Sequence, residues 1–273
     1  MPIAINGVFG NVGVAAAALI TGVIIDAFGW RAAFIVPAVL SIGIGIAYLI
    51  FLRAGDIASL YPNEVSNASV SSSLVKIDRN LLIHVFSIIF FTTALGGLIF
   101  QSTTFALPKI FDERLNDFAT NATEVGAWAF VVFTLAAFAQ LVVGYLVDRH
   151  SIKLVFSVIA AAQVLLFASM INLDGIGALI ISVAFMLMVF GQIPINDVLI
   201  GRAAKSEWRS RAYALRSFIT FTIYAISIPL IAWLHGSWGF TALFLVLCIS
   251  AVFILAAVIM LPKTKALFSP VHE

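Results

Sequence analysis

Three charged residues lie close together in one short segment, residues 144–153, which reads Gly-Tyr-Leu-Val-Asp-Arg-His-Ser-Ile-Lys. Asp148, Arg149 and Lys153 fall here between two apolar runs of roughly 20 residues, each long enough to cross a bilayer. A charge at the centre of a bilayer costs about 3 kcal/mol or more, so the segment is predicted to form a charged hairpin at a membrane face. The membrane side of the other loops can be assigned by counting apolar runs from this hairpin.

Polar side chains inside the apolar runs are the other candidates for chemistry, because an unpaired polar group is costly in lipid. The candidates for a solute pathway are Gln101, Thr103, Thr104, Gln140, Gln192, Asn196 and Tyr224. A hydrogen bond to a neighbouring helix is the alternative role for each of them. The acids Asp26, Glu124, Asp148 and Asp197 fall near the ends of runs, which predicts no carboxylate at mid-membrane in these segments.

The composition indicates the class of protein. Apolar residues make up 62% of the chain and charged residues 10%, against roughly 45–50% and 25% in soluble domains, and the mean hydropathy is +1.12. These values predict an all-α integral membrane protein whose main surroundings are a lipid bilayer. The net charge is +2, and the basic residues are scattered among short loops, so nucleic acid is excluded as a partner.

The sequence carries no motif of an enzyme. His-Glu-x-x-His, Gly-x-Ser-x-Gly, a P-loop and paired intramembrane aspartates are all missing. The single cysteine, Cys248, lies inside the last apolar run, which favours a buried, inert thiol over a disulfide or a metal ligand. We therefore predict a protein that is not an enzyme and that needs no cofactor and no metal.

The apolar runs predict about eight transmembrane helices, since about 20 residues at 1.5 Å per residue span some 30 Å of hydrocarbon. The predicted spans are residues 3–28, 32–52, 81–106, 125–147, 152–171, 176–200, 212–234 and 240–261. A longer loop of mixed charge is predicted between the third and fourth spans, at residues 108–124.

The distribution of basic residues predicts the orientation, because loops rich in Lys and Arg stay in the cytoplasm. With a cytoplasmic start and eight spans, the outside loops hold only Arg31, Lys109 and Arg114. The inside loops hold Arg53, Lys76, Arg79, Arg149, Lys153, Arg202, Lys205, Arg209, Arg211, Arg216, Lys263 and Lys265. We therefore expect a multi-pass protein of the bacterial inner (plasma) membrane with a cytoplasmic C-terminus.

The first span is rich in small residues, which let helix backbones approach closely in lipid, so it is predicted to be buried in a bundle. It ends in an outer turn formed by Asp26, Gly29, Trp30 and Arg31, in which Arg31 can pair with Asp26. The turn at residues 29–34 is weakly similar in sequence to residues 239–244, which predicts that the first two spans correspond to the last two in an internal repeat.

With this repeat and the charged hairpin, the chain resembles the major facilitator superfamily (MFS), whose members have two six-helix bundles joined by a cytoplasmic linker. The hairpin is similar to the second-bundle copy of the family's loop signature, and Gly144, Leu146, Asp148, Arg149 and Lys153 occupy signature positions. Ser151 and Ile152 depart from the signature. The resemblance implies an MFS-type helix bundle and a gating role for this cytoplasmic motif.

The resemblance also implies a division of the chain. Residues 1–53 would be a two-helix remnant of the N-terminal bundle and residues 54–80 the cytoplasmic linker between bundles. Residues 81–262 would form the six-helix C-terminal bundle and residues 263–273 a cytoplasmic tail. The chain is then expected to be an N-terminally truncated member.

By the same resemblance, the expected function is secondary transport of a small solute by alternating access. Asp148 would pair with basic residues drawn from Arg149, Lys153 and residues 211–216. The alternative is a truncated membrane remnant or interaction protein that transports nothing. The expected partners are the solute, the bilayer, and either the missing N-terminal helices or a second copy of the chain.

Overall fold

The computed structural model describes residues 2–54, 79–115, 119–203 and 206–261. Within these ranges the structure is helical and contains no strand, as predicted. The helices are α1 (Pro2–Phe28), α2 (Ala32–Ala54), α3 (Arg79–Arg114), α4 (Ala122–Arg149), α5 (Ile152–Ser169), α6 (Gly175–Ala203) and α7 (Ser206–Ile259). All seven are long and apolar enough to cross a membrane. Of the linker predicted at 54–80, residues 55–78 lie outside the described residues, whereas its ends belong to α2 and α3. The tail predicted at 263–273 also lies outside them.

Helix α7 contains two of the predicted spans. It has 54 residues, about 80 Å at 1.5 Å per residue, against a hydrocarbon thickness of about 30 Å. Gly239, with φ 71° and ψ −169°, is non-helical and divides α7 into two segments. Glu113, at the end of α3, contacts His235 before this break, and His84, near the start of α3, contacts Met260 after it. The chain therefore reverses at Gly239, and the seven helices accommodate the eight predicted crossings.

The two turns of the predicted repeat share a backbone feature with a third turn, at Gly175, where φ is 60°. Gly29 and Gly239 both have positive φ, 80° and 71°, a conformation that glycine adopts without steric cost. Each lies at a turn between two apolar helical segments.

Helix α1 packs against α4 through small residues. Its buried positions Val8, Asn11, Ala15 and Gly22 recur at helical spacing and form one face, whereas residues on the other side, such as Phe9, are exposed. A Cβ atom on Gly22 would overlap the carbonyl oxygen of Ala122. The small residues therefore produce a close helix contact, as predicted, but α1 buries only one face.

Helix α2 packs against α1 and exposes apolar side chains along its length. None of its described side chains is buried. A helix that is apolar all round and unburied suits direct contact with lipid.

Helix α3 is longer than predicted, because it continues through Pro108 to Arg114 instead of ending at residue 106. The half-buried Arg114 donates to the carbonyl oxygens of Met170 and Leu173, the latter at 3.0 Å, and so attaches the end of α3 to the turn between α5 and α6. Much of the loop predicted at 108–124 is therefore helical, and α4 already begins at Ala122.

The core of the remaining helices includes a cluster of buried aromatic residues. Phe167 of α5, Phe185 of α6 and Phe244 of α7 are fully buried, with ring centroids 5.5–6.5 Å apart. Phe133 of α4 stacks on Phe190 of α6 at 6.1 Å. Such aromatic pairs add to packing beyond the area they bury, and they hold α6 in place beside α3 and α7, where the candidate site lies.

Candidate functional site

A cavity of about 350 Å³ lies between α1, α3, α6 and α7. Its volume is at the lower end of the range of about 300–1,000 Å³ found for small-molecule sites. Its polar lining consists of Asn11, Thr93, Gln192, Asn196, Arg216, Thr220 and Tyr224. The cavity therefore combines amide, hydroxyl and guanidinium groups inside an apolar protein.

Two amides from α6 form one wall of the cavity. Gln192 and Asn196 are four residues apart, so both lie on the same face of the helix. Gln163 donates from Nε2 to Oε1 of Gln192 at 2.9 Å, which leaves Nε2 of Gln192 without a hydrogen-bond partner among the described residues. The hydroxyl of Thr93 is likewise unpaired. Buried groups in this state cost about 1–3 kcal/mol each.

Gly96 makes room for these amides. A Cβ atom built on Gly96 would lie 2.7 Å from Nε2 of Gln192 and 3.9 Å from Nδ2 of Asn196. Both amide nitrogens thus face the same space beside the α3 backbone. The absence of a side chain at residue 96 lets the amide of Gln192 lie against the α3 backbone.

An ion pair connects α6 and α7 beside the cavity. Nη1 of Arg216, which lines the cavity, pairs with the carboxylate of Asp197. Their side chains are 22% and 16% exposed, so the pair is largely buried. Asp197 was expected to lie near a span end, and Arg216 was among the residues expected to pair with Asp148. The structure pairs the two with each other because α6 and α7 are packed together here.

Aromatic rings form the opposite part of the lining. Phe100 of α3 and Tyr224 of α7 are stacked with ring centroids 6.0 Å apart, and Phe100 also lies 5.4 Å from Phe190. These rings offer an apolar surface to any ligand held by the amides and by Arg216.

The structure separates the predicted pathway residues. Gln192, Asn196 and Tyr224 line the cavity. Thr104 lines a second cavity of about 820 Å³ between α1, α3 and α4. Thr103 is buried and donates to the carbonyl oxygen of Ile99 at 2.8 Å.

The two glutamines of the predicted set lie elsewhere. Gln140 is buried on α4 against Gly7 of α1, and its Nε2 has no partner within the described chain. Gln101 is half-buried and lines neither of these two cavities.

Sequence reasoning did not select Thr93, Gly96, Phe100 or Arg216 as pathway residues. Thr93, Gly96 and Phe100 follow one another at intervals of three and four residues, which places them on one face of α3. That spacing could have identified these three residues as the cavity-facing side of α3. The sequence did not indicate that Arg216 lines the cavity, because the basic residues around it predicted only a cytoplasmic loop.

The charged hairpin lies at the end of the molecule where α4, α5 and α7 meet. Nζ of Lys153 donates to the carbonyl oxygens of Ile259 and Leu261 at 2.5 and 2.7 Å, which satisfies orphan carbonyls at the end of α7. Arg149 lies over the ring of Tyr145 at 4.7 Å. Asp148 is exposed. Of the other two motif residues, Gly144 is buried and Leu146 half-buried.

The outer turn is arranged differently from the expectation. The carboxylate of Asp26 accepts hydrogen bonds from the backbone N–H and the hydroxyl of Thr123, at 2.7 and 2.5 Å. Arg31 lies over the exposed ring of Trp30 at 5.3 Å instead of pairing with Asp26. Asp26 therefore caps the first turn of α4, where the helix dipole favours a negative charge.

Replacing Asp26 with alanine is expected to destabilise the contact between α1 and α4. Loss of a capping carboxylate weakens the start of a helix, and here it also removes a tether between two helices. The thermal midpoint of the detergent-solubilised protein should fall. Asp174→Ala is the matched control, because Asp174 is 80% exposed and lies 3.8 Å from Arg114. Equal effects of the two changes would contradict this role of Asp26.

The arrangement defines a polytopic helical membrane protein with a partly polar cavity between its helices. A family model for the Major Facilitator Superfamily matches residues 1–116 and 90–270, which together cover nearly the whole chain. The chain belongs to this superfamily of transporters, as its hairpin motif predicted. No curated protein and no solved structure matches it.

Proposed function

We propose that this secondary transporter moves a small solute by alternating access, and that the cavity between α1, α3, α6 and α7 binds the solute. The observation that supports this most directly is that Gln192 and Thr93 line the cavity and that each has a buried polar atom without a hydrogen-bond partner among the described residues. A solute that hydrogen-bonds to them would offset the cost of burying them.

The contact between α1 and α4 is the proposed moving seam. Alternating access requires two bodies that rock about a central site, and α1 falls in the predicted first bundle whereas α4 falls in the second. The seam combines close glycine contacts with the hydrogen bonds from Thr123 to Asp26. Hydrogen bonds of this exposed kind can form in one state and break in the other.

The proposed setting is the bacterial inner membrane, with the hairpin and the C-terminus on the cytoplasmic side. Its support is the excess of basic residues in the loops assigned to that side. The described lipid-facing surface is apolar, most clearly along α2.

Transport through the cavity is tested by Gly96→Ala. The added methyl group would lie 2.7 Å from Nε2 of Gln192, so the end of this flexible side chain must move away from α3. Because this displaces an amide that lines the cavity, uptake of a transported solute should fall about tenfold, which is about 1.4 kcal/mol. The measurement is uptake into proteoliposomes from a panel of labelled neutral, anionic and cationic solutes.

Gly43→Ala is the control for this experiment. A Cβ atom on Gly43, in α2, would meet nothing within 4 Å, so uptake should stay within about twofold of the unsubstituted protein, because helical Gly→Ala changes are mild. Normal uptake by Gly96→Ala would place the pathway elsewhere. Failure of every solute to enter the vesicles would contradict transport by this chain.

A further inference from the structure

We infer that the cavity binds a small organic anion, with its carboxylate at Arg216 and its apolar body against Phe100 and Tyr224. This inference rests on the proposed transport function and names the chemical class of its substrate. It follows from three features of the cavity: the nature of its unpaired groups, the state of Arg216, and the aromatic lining.

The unpaired groups of the cavity are mainly hydrogen-bond donors. Nε2 of Gln192 and Nε of Arg216 have no partner within the described ranges, and both residues line the cavity. Nδ2 of Asn196 points to the same space beside Gly96 as Nε2 of Gln192. An amide N–H or a guanidinium N–H can only donate, so the complementary ligand group is an acceptor.

The state of Arg216 favours a charged acceptor. A guanidinium carries five N–H donors in a rigid fork and binds carboxylates through two parallel hydrogen bonds. Asp197 pairs with Nη1 of Arg216, and the buried Nε has no hydrogen-bond partner among the described residues. Asp197 thus neutralises the buried cation, and we assign the Nε edge to the ligand carboxylate, which reaches it when the side chains that cover this edge move aside.

The volume and the aromatic rings limit the rest of the ligand. A cavity of about 350 Å³ suits a small molecule. The stacked rings of Phe100 and Tyr224 provide an apolar surface on which a planar or aliphatic body can pack. A small carboxylate with an apolar body meets all of these conditions.

The test uses benzoate and its neutral isostere benzamide as probes of the purified full chain in detergent at pH 7. Calorimetric titration should give a Kd for benzoate at least about tenfold lower than for benzamide, because hydrogen bonds to a charged acceptor are roughly twice as strong as neutral ones. Arg216→Gln should abolish the preference for benzoate. Arg202→Gln is the control, since Arg202 is exposed on α6 and is absent from the lining of the cavity, and it should leave the preference unchanged.

If Arg216→Gln does not fold, the comparison of the two probes on the unsubstituted protein still decides, and Asp197→Asn is a second variant that keeps Arg216. Removing the negative charge beside Arg216 should tighten benzoate binding about tenfold and leave benzamide binding unchanged. Equal affinity for the two probes, or weaker benzoate binding to Asp197→Asn, would overturn the inference.

The uptake panel separates this inference from the proposed function. Uptake of a neutral solute by a protein that does not prefer benzoate would leave transport intact and overturn the anion site. Preferential benzoate binding without uptake of any solute would support the anion site and contradict transport.

Discussion

Gly22→Val is expected to separate α1 from α4 and to lower the thermal midpoint of the protein strongly. A Cβ atom at residue 22 would overlap the carbonyl oxygen of Ala122, and one at Gly126 would lie 2.5 Å from the carbonyl oxygen of Ala18. The obstructing atoms are backbone on both sides, so a rotamer change cannot relieve the clash. Overpacking typically lowers the free energy of unfolding by about 1–3 kcal/mol, occasionally more. We expect a cost near the top of this range for Gly22→Val, because the backbone on both sides cannot move aside.

The sign of the smaller change Gly22→Ala is the sharper test. At an open helical position, alanine is more favourable than glycine by about 0.5–1 kcal/mol. Gly13→Ala provides this reference, since a Cβ atom on Gly13 in the same helix would meet nothing within 4 Å. We expect Gly13→Ala to keep or raise the midpoint and Gly22→Ala to lower it. A rise with both changes would show that α1 does not pack closely on α4.

Breaking the pair between Arg216 and Asp197 is the second large effect. Removing one partner of a buried ion pair leaves an uncompensated charge and costs about 3–5 kcal/mol. Asp197→Asn and Arg216→Gln should each approach this range, because the two side chains are only 16% and 22% exposed. The double change should cost much less than the sum, because it removes both charges together.

Denaturation of the four proteins in this double-mutant cycle measures the coupling. The exposed pair of Lys109 and Asp112, at 2.6 Å and with side chains 55% and 53% exposed, is the control. Its coupling should stay below about 1 kcal/mol, as for other surface pairs. Additive effects of Asp197→Asn and Arg216→Gln would mean that the two groups do not interact in the folded protein. Addition of benzoate should restore part of the stability of Asp197→Asn.

Hydropathy was sufficient to predict that the helices exist but not where each of them ends. The span predicted at 32–52 matches α2 to within a few residues. The span predicted at 152–171 likewise matches α5 when the 3₁₀ turn at Met170–Asn172 is counted with it. The third span was predicted to end at residue 106, yet α3 continues to Arg114. Its last turns are polar and are held by the carbonyl oxygens of Met170 and Leu173, and this contact between distant segments has no signature in a local pattern.

The sequence by itself determined that this chain is a helical membrane protein of the Major Facilitator Superfamily. Runs of about 20 apolar residues and a short charged hairpin are local features, and lipid enforces them strongly because it cannot hydrogen-bond to the backbone. Only the tertiary structure decided which polar groups meet. Gln192 and Tyr224 line the cavity whereas Gln101 does not, and Arg216 pairs with Asp197. These outcomes depend on how each helix is rotated and packed against its neighbours, and in lipid that is decided by contacts between distant segments rather than by hydropathy.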